Sequence, residues 1–254
     1  MKLHVLDLGR CDVDVGGVLT RGVMDGRRAL IPIPSYLLET DDGARVLIDT
    51  GMHPAHIDDP DHTFRGTDEA RMLRPVMSRH DTLPHRLGEL DLSVDDVTHV
   101  VNTHLHFDHC GQNNLFSRVP LLVHRRHYEA ALASPAFPSE NFELPELTYD
   151  LFAGDRVELF RGLTTITTHG HAPFHQSLLI ELPQSGPLLL AGDAIYTRAN
   201  LDDGAWGSQA DPAAAAEGAA LLEQIAADRE ARLIFGHDPV QWSTLRRSPH
   251  GCYT

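Results

Sequence analysis

The sequence predicts a layered α/β fold with two similar halves, and three observations carry the prediction. Apolar runs and helical segments follow one another in the order strands, helices, strands, helix, strand. The chain has 254 residues, 42% of them hydrophobic, which is enough to bury a sizeable core. At about 150 residues per domain that length corresponds to roughly 1.7 domains. No internal repeat or long linker divides the chain, so residues 1–254 are read as a single domain.

The elements follow in order. Leu3 to Leu8 reads as a first strand, and Asp7 stands where a signal peptide would need an apolar stretch, so a cytoplasmic protein is expected. Ala29 to Glu39 is apolar but contains Pro32 and Pro34, which predicts that only Tyr36 to Glu39 lies well inside a sheet. Asp41-Asp42-Gly43 is a hairpin turn signal, and Arg45 to Asp49 is the returning strand. Pro54 to Gly66 is polar and reads as a surface loop, and Glu69 to Met77 as a short helix. Val97 to Asn102 and Pro120 to His124 are buried strands, and Arg125 to Ala133 is helical. Arg156 to Phe160, Thr164 to Thr168, Gln176 to Leu182 and Pro187 to Ala191 make the second half strand-rich. Asp211-Pro212 is a helix start, with Asp as N-cap and Pro in the first turn. That helix runs through Leu221, Leu222 and Ile225, and Ala231 to Phe235 is the last strand.

Composition excludes several function classes. Twenty-one basic against 36 acidic residues give a net charge of −15, which repels nucleic acid and anionic membranes. The longest apolar runs are far too short to span a bilayer. Three cysteines, Cys11, Cys110 and Cys252, cannot all pair, so a disulfide framework is not expected. Histidine is the anomaly: there are 17, and several fall into patterns.

The central pattern is Thr103-His104-Leu105-His106-Phe107-Asp108-His109, directly after the strand Val97 to Asn102. A strand-end loop held by a rigid sheet is a usual place for catalytic groups. A spacing of two puts His104 and His106 on one side of an extended segment, while Asp108 and His109 follow in the turn and can face a second position. Imidazole nitrogens with carboxylate oxygens suit Zn²⁺ and similar divalent ions. Three further candidates also stand just after strands and just after a glycine, namely His171, Asp193 and His237. Glycine would let the backbone approach an ion closely. Together with the first motif they supply enough ligands for two metal ions, and the set accepts Zn²⁺ foremost, with Co²⁺, Mn²⁺ or Fe²⁺ as other occupants. His169, two residues before His171, is a competing ligand.

The chain resembles the metallo-β-lactamase superfamily, and within it the N-acyl homoserine lactone lactonases, the quorum-quenching enzymes. The resemblance runs through Gly9-Arg10-Cys11, Tyr36 to Thr40, Asp49 to Met52, His104 to His109, His171 with His175-Gln176-Ser177, Asp193 to Thr197 and Gly236-His237-Asp238. The His-x-His-x-Asp-His motif marks the superfamily. Tyr196-Thr197 and His175-Gln176-Ser177 are the more specific links to the lactonases. The resemblance implies an αββα sandwich with its site at one sheet edge. It implies His104, His106 and His171 on one ion, Asp108, His109 and His237 on the other, Asp193 bridging, and a bridging hydroxide as the nucleophile that opens the lactone ring. His169 stands where the family commonly has proline, and the glycine before His171 favours His171. Cys110 replaces a residue that is usually small and apolar, and packing is its expected role.

In that reading Tyr196 donates a hydrogen bond to the substrate carbonyl, Asp108 carries the proton to the leaving alkoxide, and Asp49 orients a ligand histidine. An acyl chain needs apolar surface, for which Phe64, Phe107 and the segment Val15 to Met24 are candidates. The expected partner is a small lactone, with a homodimer as the one protein assembly considered. The alternatives on the same fold are another lactonase, pyridoxolactonase-like, or a glyoxalase II-like thioesterase. A diiron redox enzyme would carry an acidic residue where His106 stands. A structural zinc site would be closed by four ligands, often cysteines.

Overall fold

The computed structural model describes all 254 residues. The first strand, β1 (Lys2–Asp14), is longer than its N-terminal apolar run. Leu3 and Val5 point to one face, and Leu6 and Leu8 to the other. Simple alternation would then send Cys11 and Val13 to the face of Leu3. One extra residue between Asp7 and Arg10 forms a bulge, and it returns Cys11 and Val13 to the side of Leu8. That irregularity is why alternation beyond Leu8 was not legible.

β2 (Arg28–Glu39) is continuous through both prolines. Its neighbour β3 (Arg45–Ile48) pairs only with Tyr36 to Glu39, so Pro32 and Pro34 pair with β1 alone and no ladder bond is lost on their other side. The expected helix over Glu69–Met77 is replaced by one helical turn, Glu69–Met72, and then a strand, β4 (Leu73–Val76). That strand is recruited by the outer edge of β1, where tertiary pairing overrides local preference.

β5 (His99–Val101), β6 (Pro120–His124) and β7 (Thr148–Phe152) extend the sheet in parallel. The result is a seven-stranded sheet in the order β4-β1-β2-β3-β5-β6-β7. The second half supplies β8 (Arg156–Phe160), β9 (Leu163–Thr168), β10 (His175–Ile180), β11 (Leu188–Leu190) and β12 (Arg232–Ile234). These form a five-stranded sheet in the order β12-β11-β10-β9-β8.

The sheets face each other across a core containing Leu3, Val5, Leu38, Ile48 and Val101 from one and Leu178, Ile180, Leu190 and Ile234 from the other. On the outer face of the first sheet, helix Leu83–Gly88 adds Leu83 and Leu87 to Leu6, Leu8 and Ile33. Helix Arg125–Leu132 joins Val123 through Ala131 on that same side. On the outer face of the second sheet, helix Pro212–Asp228 buries Ala219, Leu222 and Ile225 against Ile166, Leu179 and Leu189. The layers are therefore αββα. No helix is long and apolar enough to cross a membrane.

Direction matters for the site. β9, β11 and β12 run the same way, because β10 is antiparallel to both β9 and β11 while β12 is parallel to β11. Their C-terminal ends share one edge of the sandwich, and the loop after β5 reaches the same edge.

Candidate metal centre

Four loops converge at this edge, one after each of β5, β9, β11 and β12. They bring together His104, His106 and His171; His104, His109 and Asp193; and Asp108, His109 and His237. Within the first motif a tight turn, with the amides of His109 and Cys110 bonded to the His106 carbonyl, separates the extended pair His104 and His106 from Asp108 and His109. His169 is turned outward and exposed, with its ring 4.7 Å from that of Phe174.

The donor atoms are close. His106 Nδ1 lies 2.8 Å from His171 Nε2 and 3.1 Å from His104 Nε2, and the latter two are 3.0 Å apart. Nitrogens bound at about 2.0–2.1 Å to one tetrahedral ion stand roughly 3.3 Å from each other, so the three nitrogens are a little closer together than in a filled coordination shell. Asp193 divides its two oxygens. Oδ2 lies 3.3 Å from His171 Nε2, whereas Oδ1 lies 3.3 Å from His109 Nε2 and 3.1 Å from His237 Nε2. Asp108 Oδ2 completes the second group, at 3.6 Å from His109 Nε2 and 3.7 Å from His237 Nε2.

Hydrogen bonding tests whether a cation fits. Thr103 Oγ1 donates to Asp49 Oδ2 and so accepts from His104 Nδ1. His109 Nδ1 donates to Asp49 Oδ2 at 2.8 Å, and His237 Nδ1 to the Pro32 carbonyl at 2.8 Å. Gln209 donates its amide N–H to the Asp193 carbonyl, so its oxygen accepts from His171 Nδ1. In all four imidazoles the single N–H is spent away from the centre, and Nε2 faces inward as a bare lone pair. His109 Nε2 is buried with no hydrogen-bond partner. Lone pairs and carboxylate oxygens crowded together, with no protons to share, are what divalent cations satisfy.

Charge effects divide the set into neutral imidazoles and imidazoles whose carboxylate neighbours favour positive charge at the centre. Burial pushes His104 and His171 well below the ordinary imidazole value and His106 down to about 4, which keeps them neutral, as ligation requires. For His109 and His237 burial also acts downward, but the carboxylates of Asp108 and Asp193 outweigh it and raise both. Burial acts upward on Asp193, yet His237, His109 and His171 hold it well below the usual carboxylate range.

The supports come from several elements. Asp49, at the end of β3 with φ of 59°, also accepts the Thr103 amide at 2.8 Å. His175 accepts the Asp193 amide at Nε2 and donates from Nδ1 to Thr168 Oγ1. Sequence reasoning missed Thr103, Gln209 and the Pro32 carbonyl, none of which has a local signal. Two of the glycines are required by packing. A Cβ at Gly170 would lie 2.3 Å from Ala215 N, and one at Gly236 would lie 2.6 Å from the Gly192 carbonyl oxygen, so they permit close packing of protein on protein.

The Tyr196 hydroxyl lies 2.8 Å from His171 Nδ1, and its ring is buried. Burial, then Asp193, push the phenol well above its ordinary value, so it stays protonated. Phe64 and Phe107 pack edge to face at 4.7 Å. Val15, Leu19 and Met24 instead line an apolar groove of about 690 Å³ with Ile31, Thr197 and Phe235. Cys110 is buried and donates to the carbonyls of Leu105 and His106, pointing away from the ligand atoms.

Residues 29–237 match the family model of the metallo-beta-lactamase superfamily. The N-acyl homoserine lactonase AiiA of Bacillus thuringiensis subsp. kurstaki is 35% identical over 248 residues, covering 98% of this chain and 97% of the relative. The N-acyl homoserine lactonase AttM of Azorhizobium caulinodans is 31% identical over 98% of this chain and 97% of its own. A structure of an N-acyl homoserine lactone hydrolase, with the product N-hexanoyl-L-homoserine bound at its catalytic metal centre, superposes with a TM-score of 0.91. It shares 34% identity and covers 100% of this chain and 98% of its own.

Proposed function

The chain belongs to the metallo-beta-lactamase superfamily, and from that premise we propose that it is a metal-dependent hydrolase that opens the ring of N-acyl homoserine lactones. The observation that carries the reading is the divided carboxylate of Asp193, which has one oxygen toward the His104–His106–His171 group and the other toward His109 and His237. In this reading residues 1–254 form one catalytic domain, His104, His106 and His171 hold one ion, Asp108, His109 and His237 hold the other, and Asp193 bridges. Zn²⁺ is the proposed ion, the cytoplasm the proposed compartment, and a homodimer the proposed assembly.

Ring opening needs a nucleophile, a group to take charge on the carbonyl oxygen, and a proton for the leaving alkoxide. Two divalent ions held by these residues would supply an acidified water, with a pKa near 7 and far below that of bulk water, and would polarise the carbonyl. The protein's own groups supply the rest. His171 Nδ1–H points at the Tyr196 oxygen, which leaves the phenol proton free to donate to the substrate carbonyl oxygen. Asp108, in the second group, would take up the proton released by the attacking water and pass it to the ring oxygen as the bond between that oxygen and the carbonyl carbon breaks. Phe64 and Phe107 offer apolar surface for the acyl chain. The absence of a basic cluster among these residues suits a lactone that carries no phosphate.

The test is a panel of lactones with short and long acyl chains, a pyridoxolactone and a thioester, assayed on protein of measured metal content. Ring opening of acyl homoserine lactones at rates well above the others supports the proposal. Preferential thioester cleavage would replace it with a glyoxalase II-like activity.

A further inference from the structure

We propose that His127, which is no ligand, is the positioning residue for one of the two ions. It binds the two separate loops that carry His104, His106 and His171 to a single imidazole. The inference rests on reading those three histidines as one ion's ligand set.

His127 lies on helix Arg125–Leu132 and is fully buried. Its Nε2 accepts the backbone N–H of Leu105 at 2.9 Å, and its Nδ1 donates to the carbonyl of Pro173 at 2.6 Å. Leu105 stands between His104 and His106, and Pro173 is two residues after His171. Both hydrogen bonds act on backbone, and so on the path of each loop. The only direct backbone link between the loops is from Gln176 N to Thr103 O, outside the three ligands. Leu105 is fully buried and its N–H has no other acceptor, so losing the imidazole leaves an orphaned donor.

The neighbours also fix the tautomer. A backbone N–H can only donate and a carbonyl can only accept, so Nε2 is bare and the proton is on Nδ1. Burial pushes this imidazole down to about 4, which keeps it neutral. A cationic ring would turn a second donor on the Leu105 N–H. The loop carrying His171 is held at a third point by Phe174, at φ 53°, whose ring stacks on His124 at 5.1 Å and lies 4.2 Å from the Arg126 guanidinium. Asp108, His109 and His237 make no hydrogen bond to His127, whose two bonds flank His104, His106 and His171, so its influence falls first on the ion those three would hold.

The experiment is a Zn²⁺ competition titration against a chromophoric chelator, with zinc per chain counted, on the full-length protein. His127→Phe keeps the ring and its edge-to-face contact with Phe137 but removes both polar contacts. His127→Gln keeps one acceptor and one donor on a planar group. Outer partners of ligands are worth about 10–100-fold in metal affinity. H127F is expected to lose that factor at one of two sites and to hold the other within about 3-fold, with H127Q restoring most of the loss. Unchanged affinity at both sites in H127F overturns the proposal, and so does equal weakening of both sites that H127Q does not repair. A wild-type protein that takes up no Zn²⁺ overturns the ligand reading itself, a distinct result. A measurement on the wild type does not depend on any variant folding. ¹⁵N spectra should show His127 protonated at Nδ1 alone and the Leu105 amide protected from exchange, and the opposite tautomer would overturn the proposal.

Discussion

Replacing Tyr196 by Phe removes one hydroxyl from a buried ring and leaves every carbon in place. The hydroxyl lies 2.8 Å from His171 Nδ1. That N–H keeps a second acceptor, Gln209 Oε1 at 3.2 Å, so the His171 ring has a bond to fall back on and metal content should stay at the wild-type level. A net hydrogen bond is worth about 1 kcal/mol, and for a chain of this size that moves Tm by roughly 2–4 °C, an upper limit because Gln209 compensates. Catalysis should suffer more. Losing a single donor to a developing oxyanion costs about 2.7–4 kcal/mol where that donor carries the charge alone. Two cations would share it here, so the expected fall in kcat/KM is about 10–100-fold, or roughly 1.4–2.7 kcal/mol. The assay is ring opening of an acyl homoserine lactone, followed by proton release, on preparations with zinc counted by elemental analysis. Unchanged kcat/KM in a fully metallated Tyr196→Phe protein would refute the reasoning and reduce Tyr196 to a packing residue. A fall in activity that tracks lost zinc would move its role from substrate to ligand support.

Other outcomes follow from the same geometry. His171→Ala should lose about one zinc per chain and nearly all activity, whereas His169→Ala, on an exposed ring, should keep the zinc, and elemental analysis separates the two. Asp49→Asn weakens the acceptor for His109 Nδ1 and Thr103 at once, so zinc affinity should drop by about 10–100-fold in chelator competition. His56, distant from the ligands in sequence, is pushed by burial down to about 4. Its folded value is below that of the unfolded chain, so the unfolded state binds more protons on acidification, and stability is lost as pH falls from about 6.5 toward 4. The loss is at most about 3 kcal/mol. Urea midpoints across that window should fall less steeply in His56→Asn, which keeps a donor for the Pro60 carbonyl but cannot take up a proton.

What the sequence determined by itself was local in space. The candidate ligands from His104 to His109 are legible because spacing within one strand-end turn decides which side chains can face the same way. His171, Asp193 and His237 were legible because each follows an apolar strand, and strand ends are where loops carry chemistry. The proposed partition into two ion sites and the proposed bridging role of Asp193 rest on resemblance to a family, and spacing alone leaves both open.

Only tertiary structure decided the rest. The strand Leu73–Val76 exists because the edge of β1 pairs with it, and no residue within the segment announces that. The bulge after Asp7 moves Cys11 and Val13 to the opposite face, which a period of two cannot anticipate. The inward lone pairs are set by Asp49, Thr103, Gln209 and the Pro32 carbonyl, partners up to 205 residues from the imidazoles they orient. His127 is the extreme case, since its chemistry is spent on two backbone groups, Leu105 N–H and Pro173 C=O, which every sequence would offer equally. A hydrogen bond to backbone leaves no mark on the identity of its partner, so only the fold can reveal it.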